Sequence, residues 1–245
     1  KQGYSFAKIN GELYGISNNN PNFSLAYSYY KMIKEFAPHI KLVPVKRTGQ
    51  NLNNENLEMA QHLSATAIRK NIMSEEITSY ISKELLEDIR ASKIPTEEDF
   101  FELLKYKIIS LGKDGLKNIY DMREGLENRI FEAALSAKNY RELVELVITK
   151  RYSKKKIQRL LIHVLTNTTR DDYEELFGTK VFRVLAVKSE KSGLIREINK
   201  EEKITLVSVL NSSNSMYFAQ DIKVARIYNL IAGKPDIFRE KIELI

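Results

Sequence analysis

The stretch PNFSLAYSYYKMIKEFAPHIKLVPVKR, residues 21–47, holds the change of period on which the fold turns. Leu25, Tyr29, Met32, Ile33 and Phe36 fall at offsets of 4, 7, 8 and 11, one face of a helix whose first turn tolerates Pro21. IKLVPVKR (40–47) then loses that period, is short and partly β-branched, and reads as a strand ending at Lys46 and Arg47. Next comes TGQNLNNENLEMAQ (48–61), polar, Asn-rich and aperiodic, which reads as a loop before a second helix. Helix, strand and helix in succession are the grammar of an α/β layer. No Gly-rich strand-to-helix turn precedes them and the first residue is Lys1, so the chain reads as part of a longer protein.

Downstream, the pattern is helical from about Ser74 to Thr169. Thr96 precedes Asp99 at capping-box spacing, with Pro95 marking the break before it. In EGLENRIFEAAL, Leu126, Ile130, Phe131, Ala134 and Leu135 share a face. Asn139 is placed to cap YRELVELVI. Ser153 is placed to cap KKKIQRLLIHVL, where Ile157, Leu160, Leu161, Val164 and Leu165 make the inward stripe. Short connections between such helices predict a bundle. After Arg170 the runs KVFRVLAVK and KITLVSVL read as strands flanking a helical SGLIREINK, a small α/β element.

A chain of 245 residues, 43% apolar, is long enough to bury a core and build more than one small domain. Its 39 Lys and Arg against 32 Asp and Glu leave a net charge of +7, which suits a polyanionic partner. Without cysteine there are no disulfides, thiolate nucleophiles or cysteine-ligated zinc, and His39, His62 and His163 are too scattered to form a metal cluster. Neither a signal peptide nor a run of about 18 apolar residues is present, so the chain is expected to be soluble and cytoplasmic, away from membranes.

Two segments carry candidate chemistry. In LSATAIRKNI (63–72), Ser64 and Thr66 stand at an expected helix start with Arg69 a turn later. Backbone N–H groups, hydroxyls and a guanidinium converging there suit a phosphate; an ordinary Ser-capped helix with a solvent-facing Arg has the same pattern. Arg47, at the carboxyl end of the expected strand, stands where α/β sheets bind ligands, or is a surface charge. The second segment, TKRYSKKKIQR (149–159), carries Lys150, Arg151, Lys154, Lys155, Lys156 and Arg159 without an acid, and Tyr152 among them. Such a cluster neutralises nucleic-acid phosphates while its aromatic ring stacks on an unpaired base, or it is a solvated face.

LSATAIRKNI resembles the Ser-[Ser/Ala]-[Ser/Thr]-x-Ile-Arg phosphate signature of the HxGH nucleotidyltransferase superfamily. Four segments in order, SATAIRK (64–70), EGLENRI (124–130), TKRYS (149–153) continuing into IQRLLIHVL, and VARIYNL (224–230), resemble more specifically the bacterial tRNA(Met) cytidine acetate ligase family. The resemblance implies ATP-dependent formation of an acetyl-adenylate and acetyl transfer to a tRNA cytidine, with Mg2+ accompanying the nucleotide. It implies an ATP site containing Asn22, which with Pro21 matches a Pro-Asn segment of the family, together with Arg47, Ser64, Thr66 and Arg69. It also implies tRNA as partner and acetate, or another small carboxylate, as co-substrate. Phe23 and Ala26 depart from the family's Asn and Gly.

The family's HxGH-type motif does not occur in these 245 residues, so no catalytic residue is assigned and the chain by itself is expected to be a poor catalyst. The expected organisation is the second half of a Rossmann-like nucleotidyltransferase domain (1–73), a helical domain (74–170) and a small C-terminal α/β element (171–245). The alternatives are a superfamily relative acting on another small substrate, and a non-catalytic RNA-binding module.

Overall fold

Apolar residues recurring at helical spacing between Phe101 and Val164 converge on one core, and that core organises the larger of two compact units, Lys1–Ile94 and Pro95–Ile245. The computed structural model describes residues 13, 21–45, 48–50, 54–57, 62–201, 203–234 and 243–244.

In the first unit, α1 (Pro21–Phe36) forms where the period places it. Its stripe is not buried: Leu25, Tyr29, Met32 and Phe36 are exposed. The expected strand is not formed in Ile40–Val45, which has no strand pairing among the described residues and leaves Val45 89% exposed. β-Branched composition favours an extended backbone, but a strand exists only where a neighbour completes its ladder. Lys46 and Arg47 lie outside the described residues. Beyond the loop come α2 (Ala65–Lys70), a 3-10 turn at Glu75–Ser79 and α3 (Lys83–Ala91). The Ser82 hydroxyl caps α3 by accepting from the Leu85 N–H at 3.3 Å, while Arg90 reaches back to donate to the Ser74 carbonyl at 3.0 Å.

The second unit opens with α4 (Phe101–Lys117), α5 (Leu126–Ser136), α6 (Tyr140–Val147) and α7 (Lys154–Leu165). Helix α4 packs on α5 and α7, with α6 against both of the latter, enclosing Leu104, Ile108, Ile130, Leu143, Val144, Leu160 and Val164. The helix starts follow the sequence unevenly. Asn139 accepts from the Glu142 N–H at 2.8 Å, as its position predicts, whereas Ser153 occupies the N-cap of α7 without a capping bond. The Thr96 backbone N–H and hydroxyl both donate to one Asp99 carboxylate oxygen at 2.7 Å, half of a capping box, and a 3-10 turn precedes α4. Gly125, at φ 87, starts α5 from a left-handed conformation that a side chain would strain.

After the bundle, α8 (Arg170–Gly178) begins at a complete capping box between Thr169 and Asp172. The predicted small α/β element follows with strands shorter than the runs that announced them. β1 (Val181–Arg183) pairs in parallel with β3 (Thr205–Val207), Phe182 opposite Leu206, across α9 (Gly193–Lys200). β2 (Ala186–Val187) pairs in parallel with β4 (Glu243–Leu244), and α10 (Ala219–Ala232) lies between β3 and β4 in sequence, closed by Gly233 at φ 68. Among the described residues each strand has one neighbour, and the pairings run over two or three residues. No helix of the described residues is long and apolar enough to cross a membrane.

Candidate nucleotide and nucleic-acid interface

Ser64 is completely buried, and its hydroxyl is committed to the protein. It accepts from the Ala67 N–H at 2.9 Å, capping α2, and donates to the Asn54 carbonyl at 2.5 Å. Its own N–H donates to Gln50 Oε1 at 3.1 Å, and Gln50 in turn donates to the Asn56 carbonyl at 3.0 Å. Lys70 pairs with Glu55, whose carbonyl also accepts from the Asn71 side chain at 2.9 Å. Gly49, at φ 87, lies so close to His62 that an added Cβ would fall 2.6 Å from the His62 carbonyl oxygen. The helix start is therefore a clasp on Gln50 and on residues 54–56. Thr66 is half-buried beside it. Arg69 is exposed, with no ion pair among the described residues, whereas Lys70 is paired with Glu55. Asn22 stands in the first turn of α1, and Arg47 lies outside the described residues.

The second cluster is brought to the surface by α7. Ile157, Leu160, Leu161 and Val164 face the core, so Lys154, Lys155 and Arg159 project outward, joined by exposed Lys150 and Arg151 in the preceding turn. Two members differ from their sequence reading. Tyr152 packs against the bundle core, and its ring carries the Arg151 guanidinium 5.4 Å from its centroid. Lys156 is half-buried and pairs with Asp121, 35 residues away in sequence.

That ion pair leads to a recess which the sequence reading missed. Between the α4–α5 connection and α8, Tyr120, Asp121, Met122, Arg123, Arg170, Tyr173 and Glu174 line a cavity of about 460 Å³. The rings of Tyr120 and Tyr173 stack with centroids 3.5 Å apart and 14° between planes. A hydrogen bond to Tyr173 is the main cause that pushes the Tyr120 phenol above its ordinary range. His163 meets the Tyr120 ring edge-on at 5.3 Å, and burial pulls its imidazole below the ordinary value. Arg170 donates to the Met122 carbonyl at 3.1 Å, and Arg123 lies 3.7 Å from Asp121. Asp121 has φ 64, unusual for a residue with a side chain, and the Tyr120 N–H donates to the Thr168 carbonyl at 2.9 Å. The available signal was Tyr-Asp-Met-Arg immediately before EGLENRI; nothing local linked it to Tyr173.

The neighbouring EGLENRI segment serves packing. Glu127 is buried, and Arg129 donates to the Leu146 carbonyl at 2.8 Å, tying α5 to the end of α6. Among the described residues no group of three or more His, Asp or Glu converges to hold a metal ion.

The family model described as HIGH Nucleotidyl Transferase matches residues 1–241. The tRNA(Met) cytidine acetate ligases of Staphylococcus aureus strains JH9 and JH1 are each 31% identical over 238 residues, 96% of this chain and 62% of the relative. The chain thus spans less than two thirds of their length. The crystal structure of Thermotoga maritima TmcAL in its apo form I is similar with a TM-score of 0.78 at 19% identity, over 99% of this chain and 68% of that one. Form II of that protein, bound with alpha-thio ATP, gives 0.75 at 19% identity over 99% and 67%. The chain shares their fold.

Proposed function

Because the chain belongs to the HIGH nucleotidyl transferase family, we propose that the protein is an ATP-dependent ligase that activates acetate as an acetyl-adenylate and acetylates a cytidine of tRNA. The observation that carries this reading is the similarity along 96% of the chain to relatives named tRNA(Met) cytidine acetate ligase. It is supported by the ATP analogue bound to a protein of the same fold and by the exposed cations of α7.

In this reading the first unit takes the ATP phosphates. Arg69 supplies a charge-assisted contact, Thr66 a hydroxyl, and Asn22 and Arg47 complete the site. Ser64 contributes by holding the loop and the start of α2 in place, since its hydroxyl already has a donor and an acceptor within the protein. Mg2+ would be held by the nucleotide's own phosphate oxygens. Lys150, Arg151, Lys154, Lys155 and Arg159 attract the tRNA backbone in the cytoplasm, independent of sequence.

The test is acetate-dependent ATP consumption, with transfer of labelled acetate to tRNA. Stimulation by another carboxylate in place of acetate would assign a relative with a different small substrate, and tRNA binding without turnover would assign an RNA-binding module. Calorimetry should show ATP binding weaker by about tenfold or more for Arg69→Ala, from loss of a charged hydrogen bond of ~1.5–3 kcal/mol. Equal affinities would remove the phosphate role.

A further inference from the structure

We infer that the recess formed by Tyr120, Arg123, Arg170 and Tyr173 holds one unpaired RNA nucleotide, its base against the tyrosine pair and its phosphate against the two guanidinium groups. The inference rests on the reading that RNA binds α7, and adds to it a second contact of a different kind. Three observations converge on it. The tyrosine rings are already stacked and held, Tyr120 by the His163 edge and by its hydrogen bond to Tyr173, so little side-chain freedom is lost when a flat base joins them. The cavity, at about 460 Å³, is of the size that takes small organic ligands. Its lining mixes Arg123 and Arg170 with Asp121 and Glu174. Two carboxylates disfavour a free inorganic anion, whereas they suit a nucleotide, whose base edge can donate hydrogen bonds while its single phosphodiester meets an arginine.

Position argues that the occupant belongs to RNA. Lys156 and His163 are seven residues apart, two turns on one face of α7, and each touches the recess: Lys156 through Asp121, His163 through Tyr120. Arg159 lies between them on the exposed side. A backbone tracking the α7 cations therefore arrives at the tyrosine pair. Tyr152 packs against the core with Arg151 over its ring, whereas Tyr120 and Tyr173 line the recess.

Single-stranded RNA binding should be titrated at several salt concentrations for the wild-type protein and for Tyr173→Leu, Tyr173→Phe, Arg123→Ala and Lys154→Ala/Lys155→Ala/Arg159→Ala. Loss of one stacked base corresponds to a weakening of about fivefold to a hundredfold for Tyr173→Leu, without change in the salt slope. Tyr173→Phe keeps the ring and should bind within about twofold of wild type, while Arg123→Ala should reduce the slope magnitude by about 0.7. If the α7 triple variant weakens binding but Tyr173→Leu does not, the recess is no RNA site and the basic-face reading survives. If neither weakens it, both fall. A Tyr173→Leu effect on AMP affinity alone would make the occupant a free nucleotide and overturn the inference. Should Tyr173→Leu fail to fold, photocrosslinking of 4-thiouridine RNA to the wild-type protein decides: adducts on Tyr120 or Tyr173 are expected, and adducts confined to α7 refute it.

Discussion

Replacing Ser64 by Ala separates a structural hydroxyl from a ligand-binding one. The wild-type oxygen caps the Ala67 N–H at 2.9 Å and satisfies the Asn54 carbonyl at 2.5 Å, in a fully buried position. Loss of an N-cap costs ~1 kcal/mol. Leaving a partly buried carbonyl without its donor adds ~1 kcal/mol or more. Together, about 2 kcal/mol of local stability should disappear, close to a thirtyfold rise in the population of the open loop. Peptide-resolved hydrogen exchange reads this directly: amides across residues 62–72 should exchange about thirtyfold faster in Ser64→Ala, while those of α5 and α6 in the other unit should be unchanged. Arg69→Ala is the control, because its exposed side chain pairs with nothing among the described residues. It should leave exchange as in wild type and weaken only ATP. If Ser64→Ala leaves exchange across 62–72 unaltered, the clasp argument is refuted, and if Arg69→Ala accelerates it, the division of labour between the two residues fails.

Lys154→Ala/Lys155→Ala/Arg159→Ala should weaken tRNA binding across sequences and reduce the salt slope by roughly 0.7–0.9 for each phosphate that is no longer neutralised; an unchanged slope would return the cluster to solvent. Lys156→Ala, by contrast, should cost mainly stability, since it leaves the half-buried Asp121 without its lysine, and a reduction in the filter-binding salt slope as large as that caused by loss of an outward cation would contradict this. Thr169→Ala should cost ~1 kcal/mol in chemical denaturation by removing one arm of the α8 capping box. The Thr169 backbone N–H holds the Asp172 carboxyl below its ordinary 3.8, so that contribution is present above pH 3.8 and is lost as pH falls through the lower folded value; Asp172→Asn should flatten the acid limb. His163 is held below its ordinary 6.5 chiefly by burial, so the unfolded chain binds more protons between the two values and stability should fall as pH drops below 6.5. Denaturation midpoints from roughly pH 5 to 8 should show this slope in wild type and lose it in His163→Gln.

Local patterns were legible wherever the determining partners lie within a turn or two of each other. The inward face of α7, the Asn139 cap and the helix at Gly193–Lys200 follow from spacings of three and four residues, and a helix makes its hydrogen bonds within itself. On α5 the same spacing places Leu126, Ile130 and Ala134 in the core, but Leu135 of the expected face is 53% exposed and Ala133 is buried in its stead. The resemblance carried by LSATAIRKNI and the three later segments likewise needed only order and spacing, and the match over residues 1–241 agrees with it. Tertiary structure decided what depends on distant partners. IKLVPV has strand composition, but composition supplies no ladder, and Ile40–Val45 is unpaired as a strand among the described residues. Ser64 reads as a cap or as a phosphate ligand until Asn54 and Gln50 occupy its polar atoms. Lys156 reads as one of six cations until Asp121 takes it, and Tyr152 as a stacking ring until the core takes part of its surface and Arg151 lies over its ring. Tyr120 and Tyr173 carry no signal singly. Only the packing of α8 against the end of α4, where the Arg170 N–H donates to the Asn118 carbonyl at 3.2 Å, sets their rings face to face, because a stack needs two planes at van der Waals distance and sequence specifies neither plane.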